Sequence, residues 1–328
     1  VPGTIINMIS GLVKPDIGYV KIDDNVLLDT AENIFVPAEK RCLGYIFQDS
    51  HLFPHLTVRS NLLYGLKNTT NKSPKITFER VIKVLEIGKL LERKPANLSG
   101  GEKQRVAIGR AILTQPTLLL MDEPLASVDA QSRNEILPFI EELRNNLGLT
   151  IVYVSHTIDE VIRLADQVVL ISNGTKKAAG KVEDIMSRLD LYPLTGKFDA
   201  GAVLLTKVHS YDEKYGLTNL SFGGGVLRVT GTNLPIGLTV KAHIRARDVS
   251  LMLNRPKKTS VLNIFEGKII EIGDKQGAQI DLKIDIGSPL LARITRKSFD
   301  ELGLSVGTNV FTMLKAVAIN RHNFGNDS

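Results

Sequence analysis

The apolar residues in the first part of the chain fall into short runs, "LGYIFQ", "LLLMDE", "IVYVSH" and "QVVLIS", rich in leucine and β-branched residues. Runs of this length and content predict strands buried on both faces. Between them, Lys103 to Leu113, Ala130 to Leu147 and Ile158 to Leu164 read as helices. Strands and helices alternating from Val1 to about Asp190 predict an α/β domain on a mainly parallel sheet. After about residue 200 the texture changes to short alternating strands punctuated by glycine, as in "VLRVTGTNLPIG" and "EGKIIEIGDKQGAQIDLKIDIG". That pattern predicts a small all-β, barrel-like region. "SRLDLYPLTGKFDAGA" is the expected linker, with Pro193 and Gly196 as breakers.

Composition narrows the function classes. A length of 328 residues suggests two domains, and 43% hydrophobic with 23% charged residues is ordinary for a globular protein. The single cysteine, Cys42, excludes an internal disulfide framework and a four-cysteine zinc site, and fits a reducing compartment. The net charge of +6 is interleaved with acids, so a solvated surface is expected and nucleic acid is not an expected partner. No apolar run approaches the ~18 to 20 residues of a spanning helix. The chain opens at Val1 without a charged-then-apolar leader, and is expected to be truncated at its start.

Two places carry candidate chemistry. "LLLMDEP" sets Asp122 and Glu123 at the end of a buried strand. In parallel sheets functional residues gather at such ends. A carboxylate there can hold Mg²⁺ through its water shell while its neighbour orients or deprotonates an attacking water. A pair of solvated acids is the bland alternative. "LSGGEKQRVAIGRAIL" starts a helix at Ser99, Gly100 and Gly101, whose N–H groups suit a phosphate, though serine and glycine there also serve as a plain cap. Val106, Ile108, Ala111 and Ile112 do not form one narrow stripe, as expected of a largely buried helix.

The second string resembles the signature motif of the ATP-binding-cassette ATPases, and other motifs follow in that family's order. "LLLMDEP" is similar to the Walker B strand, which implies Asp122 as the Mg²⁺-organising acid and Glu123 as the catalytic base. "LASVD" resembles the D-loop, with Asp129 its acid. "YVSH" ends on His156, matching the switch histidine, and "YIFQDSHLFPHLTVRSNLLYGL" resembles the Q-loop, with Gln48 reaching the attacking water or Mg²⁺ and the following loop touching a membrane partner. The resemblance implies a homodimer, in which ATP is sandwiched between the phosphate loop of one copy and Ser99, Gly100, Gly101, Gln104 and Asp129 of the other. The family's cradle, G-x-x-x-x-G-K-[ST], should precede "INMISGL". Pro2 stands where the lysine belongs, Gly3 where the Mg²⁺-binding hydroxyl belongs, and Thr4 matches the residue after it. The polypeptide as it stands is therefore expected to bind ATP weakly and turn over negligibly.

Residues 258 to 319 resemble the molybdate-binding module called mop, in the "TS-x-x-N" opening, the "AxITRxSxxELGL" middle and the "LKAVAI" close. The resemblance implies Ser260, Asn263 and Lys315 as oxyanion donors, although Leu262 stands where arginine is common. The expected fold is a P-loop NTPase-like cassette, incomplete at its start, over 1–190. A linker and the start of a β region follow over 191–256, and an oligonucleotide-binding-like mop or TOBE domain over 257–321. The implied protein is the ATPase subunit of a bacterial molybdate or tungstate importer, peripheral on the cytoplasmic face of the inner membrane. ATP, Mg²⁺ and molybdate are its ligands, and its partners are permease subunits and, through them, a periplasmic oxyanion-binding protein. Two alternatives stay open: an importer ATPase for sugar or ferric iron, and a non-catalytic oxyanion-binding protein with a dead cassette.

Overall fold

A computed structural model describes residues 2–67, 76–126, 128–195, 200–231, 233–316 and 324–327. The chain forms two compact units, Val1–His156 and Thr157–Ser328.

The first unit opens with α1 (Pro2–Ser10) and an antiparallel ribbon of β1 (Tyr19–Ile22), β2 (Asn25–Asp29) and β3 (Ile34–Phe35). A three-stranded parallel sheet follows, in the order β4 (Leu43–Ile46), β5 (Leu118–Asp122) and β6 (Thr150–Val154). The helices α2 (Val58–Lys67), α3 (Phe78–Val84) and α4 (Gly100–Ile112) lie between β4 and β5 in the chain, and α5 (Ala130–Leu147) joins β5 to β6. Leu119, Leu120 and Met121 are fully buried, as expected of a parallel strand covered on both faces. Ile6 of α1 packs with Leu118 and Leu120, which seats α1 on β5. That helix ends at Gly11 in the left-handed region, and the Arg41 guanidinium donates to its last carbonyls, Met8 O at 3.0 Å and Ile9 O at 2.7 Å.

The second unit begins with α6 (Ile158–Leu164), the hairpin β7 (Gln167–Ser172) and β8 (Thr175–Lys181), α7 (Val182–Met186) and the short α8 (Tyr192–Thr195). Then come β9 (Gly201–Asp212), β10 (Leu217–Phe222), β11 (Gly225–Thr230), β12 (Thr239–Arg245) and β13 (Ser250–Met252). The chain continues through β14 (Asn263–Ile272), β15 (Gln279–Asp285), β16 (Pro289–Thr295), α9 (Arg296–Glu301), β17 (Asn309–Leu314) and β18 (Phe324–Asp327). They build two five-stranded antiparallel sheets, β11-β10-β9-β12-β18 and β13-β17-β14-β15-β16. Leu204, Leu220 and Val240 from one sheet and Ile269, Leu282 and Leu291 from the other share one core.

Two expectations change here. "QVVLIS" does not join the parallel sheet. It pairs antiparallel with β8, because Asn173 and Gly174, both at positive φ, close a two-residue hairpin turn. The segment before residue 200 is also not simply a linker: Leu189, Leu191 and Tyr192 are buried, while 196–199, Gly196 included, lie outside the described residues. Ile162, Val182 and Met186 pack with Val203 of β9, so the stretch after His156 belongs to the second compact unit.

Candidate functional site

The acid pair sits where the buried run of β5 ends. Asp122 closes the strand, paired with Val154 of β6, and Glu123 turns into the left-handed region at φ 46°. A left-handed residue without glycine is costly, and here the Glu123 N–H bond to Val154 O at 3.0 Å holds it. The turn brings Glu123 Oε1 to 3.0 Å from His156 Nε2. Glu123, unlike the fully buried residues before it, is partly open to solvent, as is Asp122. The ordered site thus contains a carboxylate held in contact with an imidazole, the arrangement that orients a base and its proton.

Asp122 has two close neighbours that the sequence reading passed over. The Tyr45 hydroxyl donates to Asn7 Oδ1 at 2.7 Å and stands 3.5 Å from Asp122 Oδ2. Burial, and then the nearby Asp122 charge, push the Tyr45 pKa up to about 12. Tyr45 was invisible because it reads as one more apolar residue of β4. Gly3 lies against Asp122: a Cβ added there would stand 2.6 Å from Asp122 Oδ2. Asp122 and the exposed Gln48 are oxygen donors of the kind Mg²⁺ accepts, whereas Gly3 brings no hydroxyl. Among the described residues no group of three or more His, Cys, Asp or Glu is arranged to hold a metal. Thr4, beside Gly3 on α1, is exposed.

Ser99 caps α4 in a reciprocal box: its side chain accepts from Glu102 N at 3.2 Å and its own N–H donates to Glu102 Oε2 at 2.7 Å. Two of the helix-start donors are thus used locally, while Ser99 and Gly100 stay exposed. Gly101 is buried against Ser132, and Gln104 is buried with Nε2 lacking a partner among the described residues. Asp129 caps α5, accepting from Ser132 N at 3.0 Å, and that backbone bond holds its carboxyl below the usual range. Ser127 of the "LASVD" string lies outside the described residues.

In the second unit, Ser260, Asn263 and Lys315 fall at one end of the β14–β17 ladder, Asn263 pairing with Leu314 and Lys315 following it. Ser260 and Lys315 are exposed, and Asn263 is 1% exposed. Its amide is engaged with β11: Oδ1 accepts from Arg228 N at 2.7 Å and Nδ2 donates to Arg228 O at 2.8 Å. The expected ligand is therefore also a pin that joins two sheets. Of "LKAVAI", residues 317–319 lie outside the described residues.

Residues 3–126 match the ABC transporter family and residues 259–320 the TOBE domain. The molybdenum import ATP-binding protein ModC of Mesorhizobium japonicum is 48% identical over 98% of this chain and 87% of its own length. The chain belongs to the molybdenum import ATP-binding protein family. A second relative in that family, ModC of Rhodospirillum rubrum, is 44% identical over 97% of this chain and 88% of its own length. Among solved structures the chain is similar to the dimeric post-hydrolysis state of the ATP-binding cassette MJ0796 bound to ADP and Pi. That structure is 29% identical over 55% of this chain and 80% of its own, at a TM-score of 0.46. The family's cassette corresponds to the α/β part and its TOBE domain to the β-rich part. Among the described residues no helix is long and apolar enough to cross a membrane.

Proposed function

We propose that the chain is the ATP-hydrolysing subunit of an importer for molybdate or tungstate, working as a homodimer on the cytoplasmic face of the inner membrane with integral-membrane permease subunits and, through them, a periplasmic oxyanion-binding protein. The observation that carries the reading is the left-handed turn at Glu123, which sets its carboxylate 3.0 Å from His156 at the end of a buried strand. The near full-length similarity to molybdenum import ATP-binding proteins supports the choice of cargo. On this reading residues 1–190 do the ATP chemistry, 257–321 bind the anion, and 191–256 join and complete the second part.

Phosphoryl transfer to water asks for positioning and charge neutralisation. Glu123 accepts the proton of the attacking water and His156 fixes the orientation of that carboxylate. Asp122 and Gln48 would hold Mg²⁺, which when bound would neutralise charge on the phosphate oxygens. Ser99, Gly100, Gly101, Gln104 and Asp129 face the nucleotide held by the other copy, with Thr4 near the phosphates on its own side. Ser260, Asn263 and Lys315 receive the oxyanion.

The test supplies a G-x-x-x-x-G-K-[ST] loop ahead of Thr4, measures phosphate release, and titrates the same protein with molybdate, tungstate and sulfate. ATP hydrolysis with molybdate or tungstate binding and no sulfate binding is expected. Hydrolysis without binding of any of these anions points to another cargo. Anion binding without hydrolysis points to a regulatory protein with a dead cassette.

A further inference from the structure

We propose that Arg110 is a positioning residue that locks the loop after Gln48 onto α4, so that displacement of the loop is passed along one helix to Ser99. The inference rests on the ATPase reading, in which the region 53–64 meets the membrane subunits. Arg110 lies in the last turn of α4 and Ser99 caps its first, about 16 Å away along a helix rising about 1.5 Å per residue. Its guanidinium donates to His51 O at 2.9 Å, to Ser50 O at 3.5 Å and to Asn61 Oδ1 at 3.5 Å, and stands 5.0 Å from the Phe53 ring centroid. Such a fork needs arginine, since lysine offers one point charge where four contacts diverge.

The same loop is closed from α2 by Asn61, which is fully buried. Asn61 Oδ1 accepts from Phe53 N at 2.9 Å, and Nδ2 donates to Phe53 O, Leu56 O and Thr57 O at 3.2, 3.3 and 3.0 Å. Together the two side chains grip backbone groups from Ser50 to Thr57. One of the gripped carbonyls belongs to His51, which is itself left-handed at φ 41°. Without that hold the strained residue has a cheaper conformation to relax into.

The junction of α2 with the Arg110 end of α4 has little slack. A Cβ added at Gly65 of α2 would stand 2.3 Å from Arg110 O, and one at Gly109 would stand 2.8 Å from Leu85 and 2.9 Å from Leu62. The end of α4 is thus in direct contact with α2, and neither can slide without the other. The loop presents Phe53 against Tyr64, ring centroids 4.7 Å apart and tilted by 60°, beside exposed Pro54 and His55. An aromatic, partly open surface of this kind suits an apolar partner segment.

The test uses Arg110→Lys and Arg110→Met in the protein carrying the glycine-rich loop, alone and assembled with its membrane subunits in proteoliposomes. Phosphate release and backbone amide exchange are both measured. For both variants the rate without membrane subunits is expected within about twofold of the parent, while the stimulation by those subunits falls at least about fivefold. Exchange at 50–57 is expected to rise about tenfold or more in Arg110→Met, with 118–122 unchanged. Stimulation that survives in Arg110→Met, or free and assembled rates that fall in parallel, would overturn the proposal. If Arg110→Met does not fold, Arg110→Lys, which keeps the charge and loses the fork, carries the same measurements and the same overturning outcomes. If the parent hydrolyses no ATP, the ATPase reading fails, and exchange alone decides the lock: no change at 50–57 sinks it.

Discussion

The end of β5 in the first unit and the start of β14 in the second both carry polar residues that a motif singles out, yet they satisfy them in opposite ways. Asp122 and Glu123 emerge from a strand whose preceding residues are fully buried, and both are partly open to solvent. Asn263 is buried and its amide makes a two-way bond to the backbone of Arg228. The first arrangement leaves polar capacity for a substrate, whereas the second uses it to hold the fold. A buried amide that satisfies two backbone groups is costly to remove whatever else it binds. The lesson is that a motif match names a position, and exposure tells whether that position can still act.

The comparison can be broken at either end. The largest effect is expected from Glu123→Gln in the protein with a supplied glycine-rich loop: phosphate release falls about 10²- to 10⁴-fold with circular dichroism unchanged. A smaller loss would remove Glu123 from the role of base.

Core truncation follows. Leu120→Ala and Leu282→Ala, at fully buried positions of the first and second units, should each cost about 2–5 kcal/mol. Amide exchange should show the loss confined to the unit that carries the change. Spreading of either loss across His156 and Thr157 would mean the two compact units unfold together.

Asn263→Ala sharpens the contrast. Leaving the Arg228 N–H and C=O without their partner should cost about 2–3 kcal/mol, read as a lower urea midpoint for the second unit. Loss of molybdate binding with an unchanged midpoint would instead make Asn263 a ligand first and a pin second.

The smallest effect is a pH dependence in the second unit. The hydrogen bond with His243, helped by the Arg245 charge, holds the Asp159 carboxyl below its usual range. A depressed folded-state value means the contribution is fully present above the unfolded carboxyl value, about 3.9, and is lost as pH falls through the folded one. Asp159→Asn should lower the urea midpoint at pH 6 by less than about 1 kcal/mol equivalent, and that gap should close below about pH 4. A gap constant down to pH 2 would assign the effect to packing.

Much of this was legible in the chain. Runs such as "LLLMDE" carry a strand in their burial, and the helices from Ala130 to Leu147 and from Ile158 to Leu164 have the bounds their spacing predicts. The pairing of "QVVLIS" is set by the turn at Asn173 and Gly174, a local signal, whereas the apolar content of the run itself is shared by parallel and antiparallel strands. Tyr45 and Arg110 gave no signal, because a hydroxyl beside Asp122 and a guanidinium beside His51 O are meetings of residues 77 and 59 positions apart.

By itself the sequence determined local elements such as α5 and α6 and the cap at Ser99, since these depend on residues within a turn or two of one another. Tertiary structure alone decided that Glu123 meets His156, that Asn263 spends its amide on Arg228 and that α6 and α7 pack with β9. The physical reason is that hydrogen-bond satisfaction and burial are properties of neighbours in space, and the strands bring together neighbours that no local pattern records.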